Sequence, residues 1–173
     1  MPYTCAEFDA LPAREAAAIL SECCSSATWV GRLVDGRPYG ARAELLRATD
    51  DTTAALTRDD VADALAGHPR IGERSDHPSS RREQASVGSA GAHIRDALAE
   101  GNRRYEERFE HVYLVRAAGR SADELLSILQ RRLTHDPETE WNETKAALAE
   151  INRSRLELLV ADDAAEPGKE GAQ

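Results

Sequence analysis

Helix-start signals recur along this chain, and they constrain its fold more than any other feature. Thr57-x-x-Asp60, Ser80-x-x-Glu83 and Ser121-x-x-Glu124 each set an acidic residue three positions after a hydroxyl. In such a box the hydroxyl accepts from a first-turn N–H, and the acid reaches back to the capping residue's own N–H. Asp136-Pro137 adds a fourth start, a carboxylate cap followed by the residue best suited to the first helical position. The stretches between are rich in Ala and Leu, both strong helix formers. Aromatic residues make up only 5% of the chain, so the core must be built mainly from Leu, Ala, Val and Ile. Together these features predict an all-α fold, a compact single-domain bundle of about six to eight helices.

The pattern places helices over residues 12–24, 41–49, 57–66, 80–100, 103–109, 121–133 and 136–160. A loop with Gly31, Gly36, Pro38 and Gly40 follows the first, and Gly101-Asn102 separates the fourth from the fifth. Residues 68–80 read as irregular. Residues 111–118 are apolar and β-branched enough for a strand, but a lone strand has no partner, so a buried extended or helical segment is expected. The domain runs over residues 1–160. Residues 161–173 are small and acidic, with Pro and Gly, and read as a disordered tail.

A chain of 173 residues buries about 70% of its unfolded surface, enough for one real core. Its net charge of −9 repels phosphate backbones and argues against a nucleic-acid partner. The pairs Arg81-Arg82, Arg103-Arg104 and Arg131-Arg132 have acids nearby and read as solvated faces. Three cysteines, two of them adjacent, do not make a disulfide framework, and at least one of Cys23 and Cys24 is expected to be a small buried hydrophobe. No signal peptide, peroxisomal Ser-Lys-Leu ending or apolar run of about 20 residues is present, which leaves the cytoplasm as the expected location and no membrane partner.

Three positions could carry chemistry. Leu148, Ile151, Leu158 and Leu159 share one stripe of the last helix, with Arg155 near its middle. An arginine there must snorkel, pair with a buried acid, or hold an anionic ligand with its planar fork. His68 lies between a helix-stopping Gly67 and Pro69, which presents its imidazole rigidly; it reads as a surface or capping histidine or as a proton carrier. Ser80 and Glu83 are explained by a capping box, or else place Glu83 and Gln84 at a helix start facing His68. His68, Glu73, Asp76 and His77 cluster in sequence but match no zinc spacing, so no metal site is expected.

Taken together, the segments resemble the 2-oxo-4-hydroxy-4-carboxy-5-ureidoimidazoline (OHCU) decarboxylase family. The resemblance rests on His68-Pro69-Arg70-Ile71-Gly72, Ser80-x-x-Glu83-Gln84, Asn102-x-x-Tyr105-x-x-x-Phe109, Ala117-Ala118-Gly119-Arg120-Ser121, Arg132-Leu133 and Glu150-Ile151-x-x-x-Arg155-Leu156. It covers about residues 8–160. It implies an all-α homodimer without a cofactor that converts a small-molecule substrate of urate degradation into (S)-allantoin and carbon dioxide. It further implies catalytic roles for His68 and Glu83 and substrate contacts for Pro69, Ser80, Gln84 and Arg155. Two positions depart: Glu110 stands where many relatives have Gly, and Arg116 where they carry a small residue. If Arg116 faces the pocket, binding is altered; if it pairs with Glu110, the two changes compensate. Those departures leave open a helical module that binds without turnover, or a lyase for a different substrate.

Overall fold

The structure, a computed structural model, describes residues 2–73 and 78–161, with Pro78, Ser79 and Glu83 described by their backbone alone. The described residues form ten helices and no strand: α1 (Cys5–Ala10), α2 (Ala13–Ser21), α3 (Ala27–Asp35), α4 (Arg42–Ala54), α5 (Arg58–Ala66), α6 (Pro78–Glu83), α7 (Ala85–Gly88), α8 (Ala92–Phe109), α9 (Ala122–Arg132) and α10 (Pro137–Leu159). A single bridge between Tyr3 and Val160 ties the start of the chain to the end of α10. Among the described residues no helix is long and apolar enough to cross a membrane.

The class is as expected, and the element count rises for local reasons. Helix α1 starts at a further capping box, Thr4 with Glu7. Helix α3 occupies what reads as a glycine loop: Ser26 caps it, Trp29, Val30 and Leu33 are buried, and Gly31 sits in open space inside it. Three apolar anchors outweigh the cost of about 1 kcal/mol for a helical glycine. Conversely, Gly101 does not end a helix, because α8 runs straight through it. A Cβ there would lie 2.5 Å from Leu129 Cδ2, so the glycine lets α9 approach α8 closely. Leu158, expected on the buried stripe of α10, is 61% exposed, while Leu148, Ile151, Asn152, Arg155 and Leu156 are buried.

The boxes at Thr57 and Ser121 form as expected and open α5 and α9. The one at Ser80 does not open its helix. Ser80 lies inside α6, and its carbonyl accepts from the Gln84 N–H at 3.0 Å. The expected helix over residues 80–100 is instead broken into α6, α7 and α8, with Gln84 leaving helical geometry at φ −103°, ψ 15°.

Two apolar cores result. One joins α1–α5 to α10, and the other joins α7, α8 and α9 to part of the segment after α8. That segment is largely buried and is neither helix nor strand over residues 112–117, so the helical form of the two expected for it does not occur. It runs along the seam, with Leu114 in the first core and Tyr113, Val115 and Ala117 in the second. Cys5, Cys23 and Cys24 are all buried. Of the arginine pairs, one reading fails: Arg132 is only 1% exposed and belongs to the interior.

Candidate active site

A recess of about 20 Å³ opens on the seam between the two cores. It is lined by His68 and Pro69, by Ser80 and Gln84, by Ile151 and Arg155 of α10, and by the wall Tyr113–Val115 with Ile71 and Ala117. Four segments distant in sequence therefore meet at one point. His68, Pro69, Ser80, Gln84 and Arg155, all singled out from sequence, share this recess. Glu83 lies in the backbone of α6, but its side chain falls outside what the structure describes. Asp76 and His77 are also outside the described residues.

Each polar group is held by a local cause. The His68 N–H donates to the Leu65 carbonyl at 2.9 Å, which continues the end of α5. Its Nδ1 lies 2.8 Å from the Ala64 carbonyl oxygen. A carbonyl can only accept, so Nδ1 carries the hydrogen, and in the neutral ring Nε2 is the basic nitrogen. Gly72 has φ +92°, a conformation suited to glycine, and this turns the loop so that its N–H donates to Gln84 Oε1 at 2.9 Å. The helix break at Gln84 is what frees its side chain to reach the loop. Arg155 is 6% exposed; its Nη1 donates to the Cys23 carbonyl at 3.1 Å and its Nη2 to the Ser80 hydroxyl at 3.4 Å.

The floor is apolar and neutral. Burial pushes the Tyr113 phenol well above its ordinary range, and its hydroxyl donates to the Leu125 carbonyl. Burial likewise raises the Cys24 thiol, so no thiolate nucleophile forms beside Arg155. Among the described side chains the arrangement brings together an imidazole, a guanidinium, a hydroxyl and an amide. Such a set can bind an anionic, hydrogen-bonding ring and move one proton at it.

Sequence reasoning overlooked the wall itself. Residues 113–117 carry a signal, an apolar run too long for a surface turn, but nothing in that run says it faces a site. Arg116 turns away from the recess. It lines a separate groove of about 120 Å³ with Arg120, Arg131 and Glu150, and its Nε donates to the Ser154 hydroxyl at 3.3 Å. Among the described residues it makes no ion pair with Glu110. Glu110 caps α8 in the left-handed region at φ 60°, which accounts for the glycine that many relatives carry there.

A family model for OHCU decarboxylase matches residues 9–157. The uric acid degradation bifunctional protein PucL of Bacillus subtilis is 23% identical over 129 residues, which is 73% of this chain and 26% of that protein. The uric acid degradation bifunctional protein TTL of Arabidopsis thaliana is 24% identical over 150 residues, 82% of this chain and 46% of that protein. The chain thus spans less than half the length of these two curated relatives. The 2-oxo-4-hydroxy-4-carboxy-5-ureidoimidazoline decarboxylase of Haloferax volcanii is 28% identical over 138 residues, covering 78% of this chain and 80% of that one. Two crystal structures share the fold. An OHCU decarboxylase solved in the presence of (S)-allantoin aligns with TM-score 0.73 at 23% identity, over 82% of this chain and 96% of that one. An (S)-allantoin synthase aligns with TM-score 0.69 at 16% identity, over 91% and 54%.

Proposed function

The chain belongs to the OHCU decarboxylase family, and on that premise we propose that it decarboxylates 2-oxo-4-hydroxy-4-carboxy-5-ureidoimidazoline to (S)-allantoin in urate degradation, without a cofactor. The observation that carries this reading is the convergence of His68, Ser80, Gln84 and Arg155 on one recess. By the same family resemblance, the protein works in the cytoplasm as a homodimer.

The substrate explains why so few groups suffice. Its C2 is a carbonyl and its C4 is saturated, so the ring's double bond is C5=N1, adjacent to the carbon that loses carbon dioxide. When the C4–carboxylate bond breaks, the electron pair moves into C5=N1, C4=C5 forms, and N1 takes a proton. The C4 hydroxyl then gives up its proton as C4=O forms, and C5 receives one. The face on which C5 is protonated sets the (S) configuration.

In this scheme Arg155, Ser80 and Gln84 fix the ring and the ureido group. His68 Nε2 moves the proton at the hydroxyl-bearing carbon, a role that contributes about 10²–10⁴-fold in rate. Glu83, the family's second catalytic position, would stand beside the leaving carboxylate. The rival reading, a module that binds without turnover, drew its support from Arg116 and Glu110, and neither side chain lines the recess.

The test is circular dichroism of allantoin formed from freshly generated substrate, with wild-type protein and with His68→Ala. Spontaneous decay gives racemic product, so only a fast, handed signal counts. Such a signal, lost in His68→Ala, is the expected outcome. Racemic product at the spontaneous rate with folded wild-type protein would reject the assignment.

A further inference from the structure

The loop that carries His68 has empty space on two sides. The 20 Å³ recess lies on one, and a larger cavity of about 300 Å³ lies on the other, lined by Arg70, Ile71, Gly72, Glu73 and one face of α8. Ile71 lines both. Ile71 is also buried in the second core, but the two cavities leave the rest of the loop with fewer packing contacts, because dispersion contacts are missing wherever a void faces the chain. Hydrogen bonds then add to this one apolar anchor in setting its position.

Helix α8 supplies them. Asn102, 3% exposed, donates from Nδ2 to the Ile71 carbonyl at 2.8 Å. The orientation of this amide is determined, since the flipped form would set two oxygens against each other. One turn further along the same face, Glu106 takes Arg70 in a two-pronged grip, Nε to Oε1 at 2.5 Å and Nη2 to Oε2 at 2.8 Å. These bonds hold the two residues next to Pro69, while Gln84 holds Gly72 from the opposite side. Gln84 already lines the recess. Asn102 and Glu106 do not, so their effect on chemistry must pass through the loop.

We infer that Asn102 is a positioning residue for His68, with Glu106 in a supporting role. The buried amide bond is the stronger tether, because it is shielded from water, whereas the Arg70–Glu106 pair lies partly in solvent. A small shift of the loop carries the imidazole away from the reacting carbon without emptying the binding groups on α6 and α10. Loss of Asn102 therefore lowers kcat and leaves KM nearly unchanged.

The kinetic arm of the test rests on the decarboxylase reading, and a second arm does not. In the kinetic arm, Asn102→Ala is compared with wild type. The expected outcome is a fall in kcat of about 10–50-fold with KM within threefold. A purely structural role would raise KM as kcat falls, and that result overturns the inference. In the second arm, the His68 imidazole of the folded protein is followed by NMR through a pH titration. Asn102→Ala should move its resonances and midpoint while leaving those of His111 and His135 in place; an unmoved His68 signal also overturns the inference. If Asn102→Ala fails to fold, Glu106→Gln replaces it, with kcat falling about threefold and the same His68 signals displaced. If wild-type protein makes no handed allantoin, the proposed function fails while the NMR arm still decides the role of Asn102.

Discussion

Among the described residues two arginines are buried, and their surroundings differ. Arg132 at the end of α9 is saturated by the protein. Its Nε donates to Glu140 Oε1 at 2.8 Å, its Nη1 to the Leu114 carbonyl at 2.6 Å, and its Nη2 to the Thr144 hydroxyl at 3.0 Å. Tyr105 donates to the same carboxylate. Burial opposes the Arg132 charge, but Glu140 more than restores it, so its pKa is raised. Arg155 on α10 lines the recess, with a carbonyl and a hydroxyl at 3.1 and 3.4 Å. Arg132 joins α8, α9 and α10 into a single unit, while Arg155 lies against the recess on the seam between the two cores. A buried arginine is thus not evidence of a site in itself; what decides is whether it also lines a recess.

The sharpest way to break this contrast is to remove each cation in turn. Arg132→Ala takes the guanidinium partner from the fully buried Glu140, leaving it Tyr105 and His135, and should cost about 3–5 kcal/mol of stability, read from denaturant unfolding. Arg155→Met keeps the bulk of the side chain and should shift stability by about 1 kcal/mol at most, yet lower kcat/KM by roughly 10–100-fold through loss of a charged hydrogen-bonding partner for the substrate. If the two substitutions had equal effects on stability, the distinction between the two arginines would fall.

A position that touches neither arginine sharpens it from the other side. Glu110 ends α8 at φ 60°, ψ 20°, where a side chain costs about 1–2 kcal/mol that glycine does not pay. Glu110→Gly should raise the melting temperature by about 2–4 °C with turnover unchanged. A gain in stability that also altered kcat would mean the α8 end is coupled to the recess.

Acid should separate the two ends more gently. Glu143 beside Arg131 and Arg132 keeps its carboxyl below the ordinary range: burial raises it, and the hydrogen bond from Arg131 with the two guanidinium charges outweighs that. A depressed folded pKa stabilises above the unfolded value, near 4.3, and the benefit is lost as pH falls through the folded value. Glu143→Gln should therefore flatten the loss of stability between about pH 5 and 3, by no more than about 0.5 kcal/mol for a partly solvated pair.

Much of this was legible in the sequence, for identifiable reasons. Capping boxes are local, so the starts of α5, α9 and α10 follow from residues three apart. The meeting of His68, Ser80, Gln84 and Arg155 at one recess was anticipated only through family resemblance, because no local pattern relates four segments across a fold. The failures share a cause. Ser80 has the right box spacing, but α6 begins earlier at Pro78, and the break at Gln84 goes with a bond to Gly72, twelve residues away. Arg132 looked solvated because Glu140, which neutralises it, lies on the next helix. Asn102 read as helix punctuation, although its side chain bonds a carbonyl 31 residues away.

Arg116 is the third arginine of this region and the smallest test of the comparison. It is half-buried, bonds to Ser154 at 3.3 Å and to the Ala118 carbonyl at 3.4 Å, and faces the groove beyond Val115 rather than the recess. Both contacts are long and made to neutral groups, and its fork opens to a different surface from that of Arg155. If direction rather than partner count makes an arginine functional, Arg116→Ala should change KM and kcat by less than twofold, about 0.4 kcal/mol, and leave the hand of the product intact. Steady-state kinetics with freshly generated substrate decides it. A tenfold rise in KM would place Arg116 on the substrate's path, and the sequence departure at this position would then mark altered binding.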